Sequence, residues 1–332
     1  MSSINPKIIV ITPVRNEAWV LDAFLTCTSS WADYIIIADQ HSTDGSREIA
    51  KKYSKVILHD NPNEIMNQAQ VRRFLFQEAD RIKGEKIIFA LDADEFLSAG
   101  FEKTNGWKRI MNSSRNELFC FRWLNIYDDF SHAVPLNNYM EWACHLDNSM
   151  NLAETYWACE KRAVHEMRVP CLPVNQVDYI MISDIRFVHL ANLNKERQRN
   201  KFDFYQVHTL TDLKKKSSAV SMFRQYYPHH PEILSFTEEI SLIEIIEGND
   251  VKSLVKRADH GMHYVDEMVQ IFEREGYDRF IKLNIWDNPY LIERGINPYR
   301  SVLIRLLHWY LNHTDNSNWE VGCLDKVLKR LY

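Results

Sequence analysis

The amino-acid sequence predicts an α/β fold in which a mainly parallel sheet carries helices on both faces, followed by a helical C-terminal region. In the first hundred residues, short apolar runs rich in β-branched residues alternate with segments of helical periodicity. Strands are predicted at Lys7–Thr12, Tyr34–Ala38, Lys55–His59 and Lys86–Leu91, with helices near Asn16–Ser29, Thr43–Lys52 and Asn67–Ile82. Aromatic-rich strands, one at Ile182–Val188, are predicted from about Glu117, and helices beyond Asn194.

Length and composition indicate a folded protein of more than one region. The chain has 332 residues, of which 45% are hydrophobic and 26% charged, and this is an ordinary globular composition. Because the length exceeds that of a usual single domain, we expect one large domain with an appended region. In that region, apolar residues recur at helical spacing around Leu242–Ile246 and Val302–Leu311.

Charge and cysteine content restrict the partners and the compartment. A formal net charge of −5 gives no global case for a nucleic-acid partner. The six cysteines include no C-x-x-C pair, Met1–Lys7 lacks the features of a secretory signal, and no apolar run is long enough to cross a bilayer. We therefore expect a cytoplasmic protein without a transmembrane segment. Peripheral contact with the inner face of a membrane, and homo-oligomerisation, stay open.

Two basic segments of the tail bear on that membrane question. Lys214–Lys216 and Arg294–Arg305 are short enough to be solvated helix faces, and this interpretation is favoured. The alternative is a contact with anionic lipid or with polysaccharide phosphate.

Polar clusters follow three of the predicted strands. Pro13 to Asn16 comes after the first strand, Asp39 to His41 after the second, and Asp92 to Glu95 after the fourth. In open α/β sheets, ligands bind beyond the carboxyl ends of the strands. We therefore expect these clusters to converge on one edge of the sheet.

The carboxylates among these residues are typical of a metal and nucleotide site. Asp92 and Asp94 form a D-x-D at a strand end, and paired carboxylates suit Mg²⁺ or Mn²⁺, which can bridge a diphosphate. A D-x-D alone is equally typical of a solvated acidic turn. Asp39 supplies another carboxylate and precedes Ser-Thr-Asp-Gly at a predicted helix start. It can accept from a uracil N–H or a ribose hydroxyl, although capping a helix is the alternative role.

In order and approximate spacing, these motifs resemble the family 2 glycosyltransferases, which have the GT-A fold. The resemblance is carried by Val10-Ile11-Thr12-Pro13, Arg15-Asn16-Glu17, Asp39 with Ser-Thr-Asp-Gly, and Leu91-Asp92-Ala93-Asp94-Glu95-Phe96. Arg72 resembles the family's arginine near the nucleotide, with Arg73 as the alternative. Val164-His165-Glu166 and Val188-His189-Leu190 resemble a branch acting on bacterial cell-surface polysaccharide or lipopolysaccharide core.

The resemblance covers about residues 7–205 and implies a catalytic GT-A domain at 1–205. The helical pattern of the rest of the chain, which the resemblance does not cover, predicts a helical accessory region at 206–332. It implies an inverting transfer from a nucleotide-diphosphate sugar, with a UDP-sugar favoured, to a hydroxyl of a glycan or lipid-linked acceptor in polysaccharide biosynthesis. It also implies Mg²⁺ or Mn²⁺ as the cofactor. The implied nucleotide-sugar site comprises Thr12, Pro13, Arg15, Asn16, Glu17, Asp39, Arg72 and Asp92, and the implied metal ligands are Asp92, Asp94 and His189.

An inverting transfer also needs a general base for the acceptor hydroxyl. Glu166 is the candidate, with His165 beside it to orient its carboxylate; a surface ion pair is the alternative role for Glu166. His189 has a structural alternative too. Trp123, Trp142 and Trp157 are candidates for a sugar-stacking platform, but core packing is favoured for such numerous aromatics.

Two other classes of function compete with glycosyl transfer. A metal-dependent nucleotidyltransferase also uses paired carboxylates, but it normally has a glycine-rich phosphate loop near the first strand, and Val10–Glu17 contains no glycine. A non-catalytic nucleotide-sugar-binding scaffold is the other alternative. The presence of Asp39, Asp92 and Asp94 disfavours loss of nucleotide binding.

Overall fold

The architecture is seen in a computed structural model of the chain. It describes residues 6–61, 68–127, 130, 132–146, 168–170, 177–211, 217–227, 234–235, 244–245, 249–256, 258–314 and 319–332. The chain divides into two compact units. One comprises Met1–Leu193 with Leu234–Arg257, and the other comprises Asn194–Ile233 with Ala258–Tyr332.

The first unit contains the sheet. Its strands are β1 Lys7–Val14, β2 Tyr34–Asp39, β3 Val56–Asp60, β4 Lys86–Ala90, β5 Glu95–Leu97, β6 Glu117–Tyr127, β7 His132–Leu146, β8 Asp178–His189 and β9 Leu234–Ser235. Its helices are α1 Leu21–Trp31, α2 Ser46–Ala50, α3 Gln68–Asp80, α4 Asn105–Met111 and α7 Val251–Leu254, with a 3₁₀ turn at Phe101–Lys103. A separate hairpin pairs β10 Glu244–Ile245 with β11 Asn249–Asp250.

The strand order is β3-β2-β1-β4-β7-β6-β8-β5, with β9 paired to β7. β1 to β4 are parallel where they are neighbours, whereas β7 is antiparallel to both β4 and β6. The sheet is therefore mixed, and its parallel half is formed by the four strands predicted from the sequence, within two residues at each end.

Alternating side chains of the parallel strands supply two separate cores. Val10, Ile35 and Phe89 pack on the face covered by α1, whereas Ile9, Ile36 and Ile88 pack on the face covered by α3. Strands buried on both faces have continuous apolar runs rather than a polar alternation. The runs of isoleucine in β1, β2 and β4 are thus explained, and the predicted helices on both faces are confirmed.

The first helix begins later than predicted. It starts at Leu21 rather than near Asn16, because Asn16 has a left-handed φ of 53° that a helix cannot contain. The backbone N–H groups of Asn16, Glu17 and Ala18 donate to side chains of the loop after β2 instead of entering a helical ladder. The segment between β1 and α1 is therefore an ordered loop.

The second unit is helical. Its helices are α5 Lys195–Thr211, α6 Ala219–Tyr226, α8 Met262–Glu275, α9 Pro289–Glu293, α10 Val302–His313 and α11 Trp319–Leu331, with a 3₁₀ turn at Tyr277–Phe280. The helical prediction over Val302–Leu311 is confirmed. The helical prediction near Leu242–Ile246 is wrong for Glu244 and Ile245, because these two residues form strand β10. A short apolar run does not distinguish a helix from a strand. Within the described ranges, none of the helices has the length and apolarity to cross a bilayer.

Candidate functional site

The carboxyl ends of β1, β2 and β4 lie at one edge of the sheet. Val14 at the end of β1 pairs with Asp39 at the end of β2, and Ile11 pairs with Ala90 at the end of β4. The N–H of Leu91 continues this pairing to the carbonyl of Ile11, at 3.0 Å. The polar residues that follow these three strands therefore start from adjacent backbone positions.

Two of the loops at this edge are bonded together. The backbone N–H groups of Asn16, Glu17 and Ala18 donate to Ser42 Oγ, Ser46 Oγ and Asp44 Oδ2, at 2.8–3.0 Å. In return, Asn16 Oδ1 accepts from the N–H of Thr43 at 2.8 Å. The Ser-Thr-Asp-Gly segment was expected to cap a helix, and Asp44 Oδ1 does accept from the N–H of Ser46. The side-chain oxygens Ser42 Oγ and Asp44 Oδ2 of this segment fix the loop after β1.

Asp39 lies beneath these loops and is fully buried. Its Oδ2 accepts from the N–H of Ser42 at 3.2 Å and from Arg47 Nη1 at 2.8 Å, and Arg47 also pairs with the exposed Asp60. Asp39 Oδ1 has no hydrogen-bond partner among the described residues, and neither has the buried Nε2 of the adjacent Gln40. Buried polar atoms are normally satisfied, so an orphaned carboxylate oxygen at a strand end indicates a place for an external donor.

Asp92 lies between two arginines. Arg72 Nη2 is 2.5 Å from its Oδ1, and Arg168 Nη2 is 2.7 Å from its Oδ2. Arg72 reaches this position from α3 and also donates to the carbonyl of Leu91 at 3.2 Å. Both arginines are buried, so two desolvated cations lie against one carboxylate. Asp92 and Glu95, which also pairs with Arg168, balance the charges of the two arginines, so the cluster presents oriented N–H donors rather than a net positive charge.

Glu95 holds Arg168 in place. It is fully buried, and Arg168 donates to its two oxygens at 2.6 and 2.8 Å. Trp123 Nε1 donates to Oε1 at 2.9 Å, and the N–H of Asp92 donates to Oε2 at 2.9 Å. Burial raises the pKa of Glu95, and the Arg168 guanidinium opposes that increase. The guanidinium also lies over the rings of Trp123 and Trp142, at 5.6 and 5.3 Å.

Asp94 faces His189. Asp94 Oδ2 is 3.5 Å from His189 Nε2, and the other ring nitrogen, Nδ1, lies 2.8 Å from Asn125 Oδ1. Because Asn125 Oδ1 is an acceptor, it favours the tautomer with the proton on Nδ1, which leaves the Nε2 lone pair directed towards the carboxylate. Trp123 stacks on the imidazole ring at 4.9 Å with a 7° interplanar angle, which fixes its orientation.

This arrangement fits two ligands of a divalent cation. His189 Nε2 and an Asp94 carboxylate oxygen, 3.5 Å apart, are both atoms of the kind that coordinate divalent transition-metal ions. Of the residues the structure describes, no three His, Cys, Asp or Glu side chains form a metal-binding group.

The structure brings together most of the residues predicted for the site. The edge of the sheet and the loops and side chains joined to it include Thr12, Pro13, Arg15, Asn16, Glu17, Asp39, Arg72, Asp92 and Asp94. His189 lies beside Asp94. Arg72 rather than Arg73 contacts Asp92. Trp142 is fully buried, as expected of a core aromatic. Glu166, His165 and Trp157 lie outside the described residues, so their places stay predictions.

Several residues of this cluster were assigned no role from the sequence. Glu95 directly follows the D-x-D and begins the short strand Glu95–Leu97, and an acid that opens an apolar strand is a signal for a buried, paired carboxylate. Arg168 and Asn125 have no comparable local signal, because they meet Glu95 and His189 only through the folded sheet.

The family model described as glycosyl transferase family 2 matches residues 9–150. The match covers less than half of the chain and includes the strand ends that carry Asp39, Asp92 and Asp94. It supports placing this segment in that family, and the mixed sheet with helices on both faces is a GT-A-type fold.

Similar solved structures are more distant. A 4-diphosphocytidyl-2C-methyl-D-erythritol synthase from Anaerococcus prevotii is 13% identical, with 54% of this chain and 89% of that one covered and a TM-score of 0.33. Glucosyl-3-phosphoglycerate synthase from Mycobacterium tuberculosis is 11% identical, with 55% and 72% covered and a TM-score of 0.35. Inositol-1-phosphate CTP transferase from T. maritima is 10% identical, with 59% and 94% covered and a TM-score of 0.34. Such distant similarities indicate no activity, and no curated protein matches the chain.

Proposed function

We propose that this protein is an inverting glycosyltransferase that moves a sugar from a nucleotide-diphosphate donor, with a UDP-sugar favoured, to a hydroxyl of a glycan or lipid-linked acceptor. The observation that carries this proposal is the arrangement at the sheet edge. An orphaned buried carboxylate oxygen on Asp39 and the two arginines on Asp92 lie at the same edge as the facing pair Asp94 and His189. A nucleotide diphosphate needs these three kinds of contact.

Asp39 would bind the nucleoside. Its Oδ2 is used by Arg47 and Ser42, so Oδ1 is the oxygen that would accept from the N3–H of uracil or from a ribose hydroxyl. A buried acceptor discriminates strongly against ligands that lack the matching donor, because it is then left unpaired. This contact supports the choice of uridine over a nucleoside without such an N–H.

Arg72 and Arg168 would face the diphosphate. Each guanidinium bears several N–H donors in a planar fork that matches phosphate oxygens. Asp92 bonds the guanidinium groups of both arginines. Glu95 and the rings of Trp123 and Trp142 also fix the guanidinium of Arg168. N–H donors that are already oriented cost no reorganisation when a diphosphate leaves, so they would stabilise the leaving group.

Asp94 and His189 would hold a divalent metal. Asp92, the third ligand expected from the sequence, has its two carboxylate oxygens bonded to Arg72 and Arg168. An imidazole ligand suits a transition metal better than Mg²⁺, so the pair favours Mn²⁺. When bound, such an ion neutralises charge on the phosphate oxygens. The Asn125 contact would hold the His189 ring so that Nε2 faces this position.

The acceptor side rests on the sequence. Glu166 is the proposed general base, with His165 to orient it, and the acceptor would be a bacterial surface polysaccharide or a lipid-linked precursor of one. A base on the face of the sugar opposite the diphosphate is what inversion requires. The helical accessory region at 206–332 is proposed to shape access of the acceptor.

A calorimetric screen of UDP-, GDP- and dTDP-sugars, with Mn²⁺ or with a chelator, tests the donor. We expect metal-dependent binding of a UDP-sugar, and at least tenfold weaker binding by Asp39→Asn. Asp60→Asn is the matched control, because exposed Asp60 contacts the same Arg47 and should leave affinity unchanged. Equal affinity with and without chelator, or for Asp39→Asn and wild type, would contradict the proposed site.

A further inference from the structure

Helix α10 has two apolar faces, and only one of them is covered by residues that the structure describes. Leu307 and Leu311 are buried against α6, in a small core with Val220 and Phe223. On the opposite face of the same helix, Leu306 and Trp309 are 56% and 60% exposed, and Val302 is exposed beside them. Leu303, one turn before Leu307, is 66% exposed. A soluble helix normally exposes polar residues on the face turned away from its core. This second face is therefore a surface suited to an apolar partner.

The next helix repeats the pattern. Leu324, Val327 and Leu331 recur at helical spacing on α11, and all three are exposed. Trp319 at the start of α11 is 76% exposed. Isolated exposed apolar side chains are ordinary, but stripes on two consecutive helices with two exposed tryptophans indicate an interaction surface.

Charge indicates what that surface binds. Val302–His313 contains no acidic residue and carries the exposed Arg305, preceded by the half-buried Arg300. On α11, the exposed charged residues are the basic Lys326, Lys329 and Arg330 and the acidic Glu320. The other acid of α11, Asp325, is buried and paired with Arg224. These helices are therefore locally basic, although the whole chain has a formal net charge of −5.

We propose that α10 and α11 bind the surface of an anionic lipid bilayer, with their outer apolar stripes inserted at the level of the headgroups. Apolar side chains with tryptophan, flanked by arginine and lysine, are the combination by which amphipathic helices lie in a membrane interface. Tryptophan rings prefer the headgroup region, and basic side chains are attracted to anionic lipid. Helices of 12 and 13 residues are too short to span a bilayer, so they would lie along it.

A second copy of the chain fits this surface less well. A two-fold symmetric contact through α10 would place the same patch of both copies together, and with it both copies of Arg305. The helix offers no acidic side chain to compensate that repulsion. An anionic bilayer instead meets the basic residues with opposite charge.

Co-sedimentation of the full chain with vesicles tests this inference without any nucleotide or acceptor, so its result is independent of the proposed transferase activity. We expect binding to phosphatidylcholine vesicles containing 30 mol% phosphatidylglycerol, and at least tenfold weaker binding to pure phosphatidylcholine. Raising NaCl to 0.5 M should weaken the binding by screening the charges. Arg305→Gln should lower affinity for the anionic vesicles about fivefold, the effect of one basic residue near such a surface.

The double variant Leu306→Glu with Trp309→Glu should lose at least tenfold in vesicle affinity, and Val302→Glu should act in the same direction. Met181→Glu is the matched control, because Met181 is an exposed apolar residue on β8. Circular dichroism checks the fold of each variant. No binding of the wild type to anionic vesicles, or equal binding by the wild type and the double variant, would overturn the proposal. A wild-type dimer that Leu306→Glu dissociates, without vesicle binding, would assign the face to a second copy and also overturn it.

Discussion

His189 Nε2 lies 3.5 Å from Asp94 Oδ2, and backbone pairing rather than side-chain reach holds the two residues there. Strand β5 pairs with β8 so that Glu95 is opposite His189, and the N–H of Leu190 donates to the carbonyl of Asp94 at 2.9 Å. Because both residues are fixed by the sheet, the pair would exist before any ligand binds. Preorganisation of this kind is what a metal or diphosphate site needs.

The first prediction is that His189→Ala and Asp94→Asn each weaken Mn²⁺-dependent binding of the donor at least tenfold. Each change removes one of two proposed metal ligands, while the arginines that face the diphosphate remain. Titration calorimetry at fixed Mn²⁺ measures the effect. His313→Ala, an exposed histidine of α10, is the control and should leave donor affinity unchanged. Wild-type affinity in His189→Ala would remove this residue from the metal site.

The second prediction concerns stability. Arg168→Ala should lower the free energy of unfolding by about 3–5 kcal/mol, because it leaves Glu95 buried without its cation. Urea unfolding measures this loss. Adding Glu95→Gln to the same chain should restore part of it, since the uncompensated charge is then absent.

Arg115→Ala is the matched control for Arg168→Ala. Arg115 pairs with Glu85 at 2.8 Å, but both side chains are largely exposed, so its loss should cost about 0–1 kcal/mol. Equal losses in the two arginine variants would show that the Arg168 cluster contributes no more than a surface ion pair.

The third prediction is a pH dependence in the second unit. Burial raises the pKa of Asp203 from 3.8 to about 7, although Asn288 and Tyr227 donate to its carboxylate. The folded state therefore binds a proton that the unfolded chain releases. The stability from this protonation is complete below about pH 4 and is lost as the pH rises to about 7.

Comparison with Asp203→Asn isolates this effect from the other groups that titrate. Between pH 5 and pH 8, the free energy of unfolding of the wild type should fall by roughly 2–3 kcal/mol relative to that of the variant. Urea unfolding at the two pH values provides the measurement. Asp266→Asn, which changes an exposed acid paired with Arg294, should track the wild type. A constant difference between Asp203→Asn and the wild type would contradict the raised pKa.

The fourth prediction separates binding from chemistry. Glu166→Gln should lower kcat by about 10²-fold or more and leave donor affinity nearly unchanged, because a general base contributes mainly in the transition state. His165→Ala should have a milder effect if this residue only orients Glu166. Steady-state kinetics with both substrates saturating, together with donor titration, distinguish the cases. Near-normal turnover in Glu166→Gln would leave Glu154 or Glu160 as the next candidates.

The sequence predicts the parallel half of the sheet well because its signals are local. Each of β1, β2 and β4 is an apolar run buried on both faces, and in parallel strands the residues that follow lie at one edge. The convergence of Asp39 and Asp92 follows from this rule alone. The start of α1 could not be predicted in the same way, because Asn16 is held by Ser42 across the sheet edge rather than by its own neighbours.

The charge partners at the site are the part that sequence reasoning missed. Arg168 bonds Glu95 across 73 residues of sequence, and no local pattern distinguishes it from a surface arginine. His189 was placed in the site by a motif, but its acceptor Asn125 comes from a different strand, β6. Such pairs depend on strand order in the half of the sheet where neighbours in space are distant in sequence.

The most direct test of glycosyl transfer is to follow a UDP-sugar with Mn²⁺ and the purified chain by ³¹P NMR. A glycosyltransferase breaks the bond between the sugar carbon and the β-phosphate oxygen, so UDP accumulates by transfer or, without an acceptor, by slow hydrolysis. A nucleotidyltransferase instead breaks the bond between the two phosphates, and added pyrophosphate then yields UTP and sugar 1-phosphate. We predict UDP from the wild type, and at least tenfold less from Asp94→Asn. Formation of UTP and sugar 1-phosphate, or no turnover of UDP-, GDP- or dTDP-sugars, would contradict the proposed function.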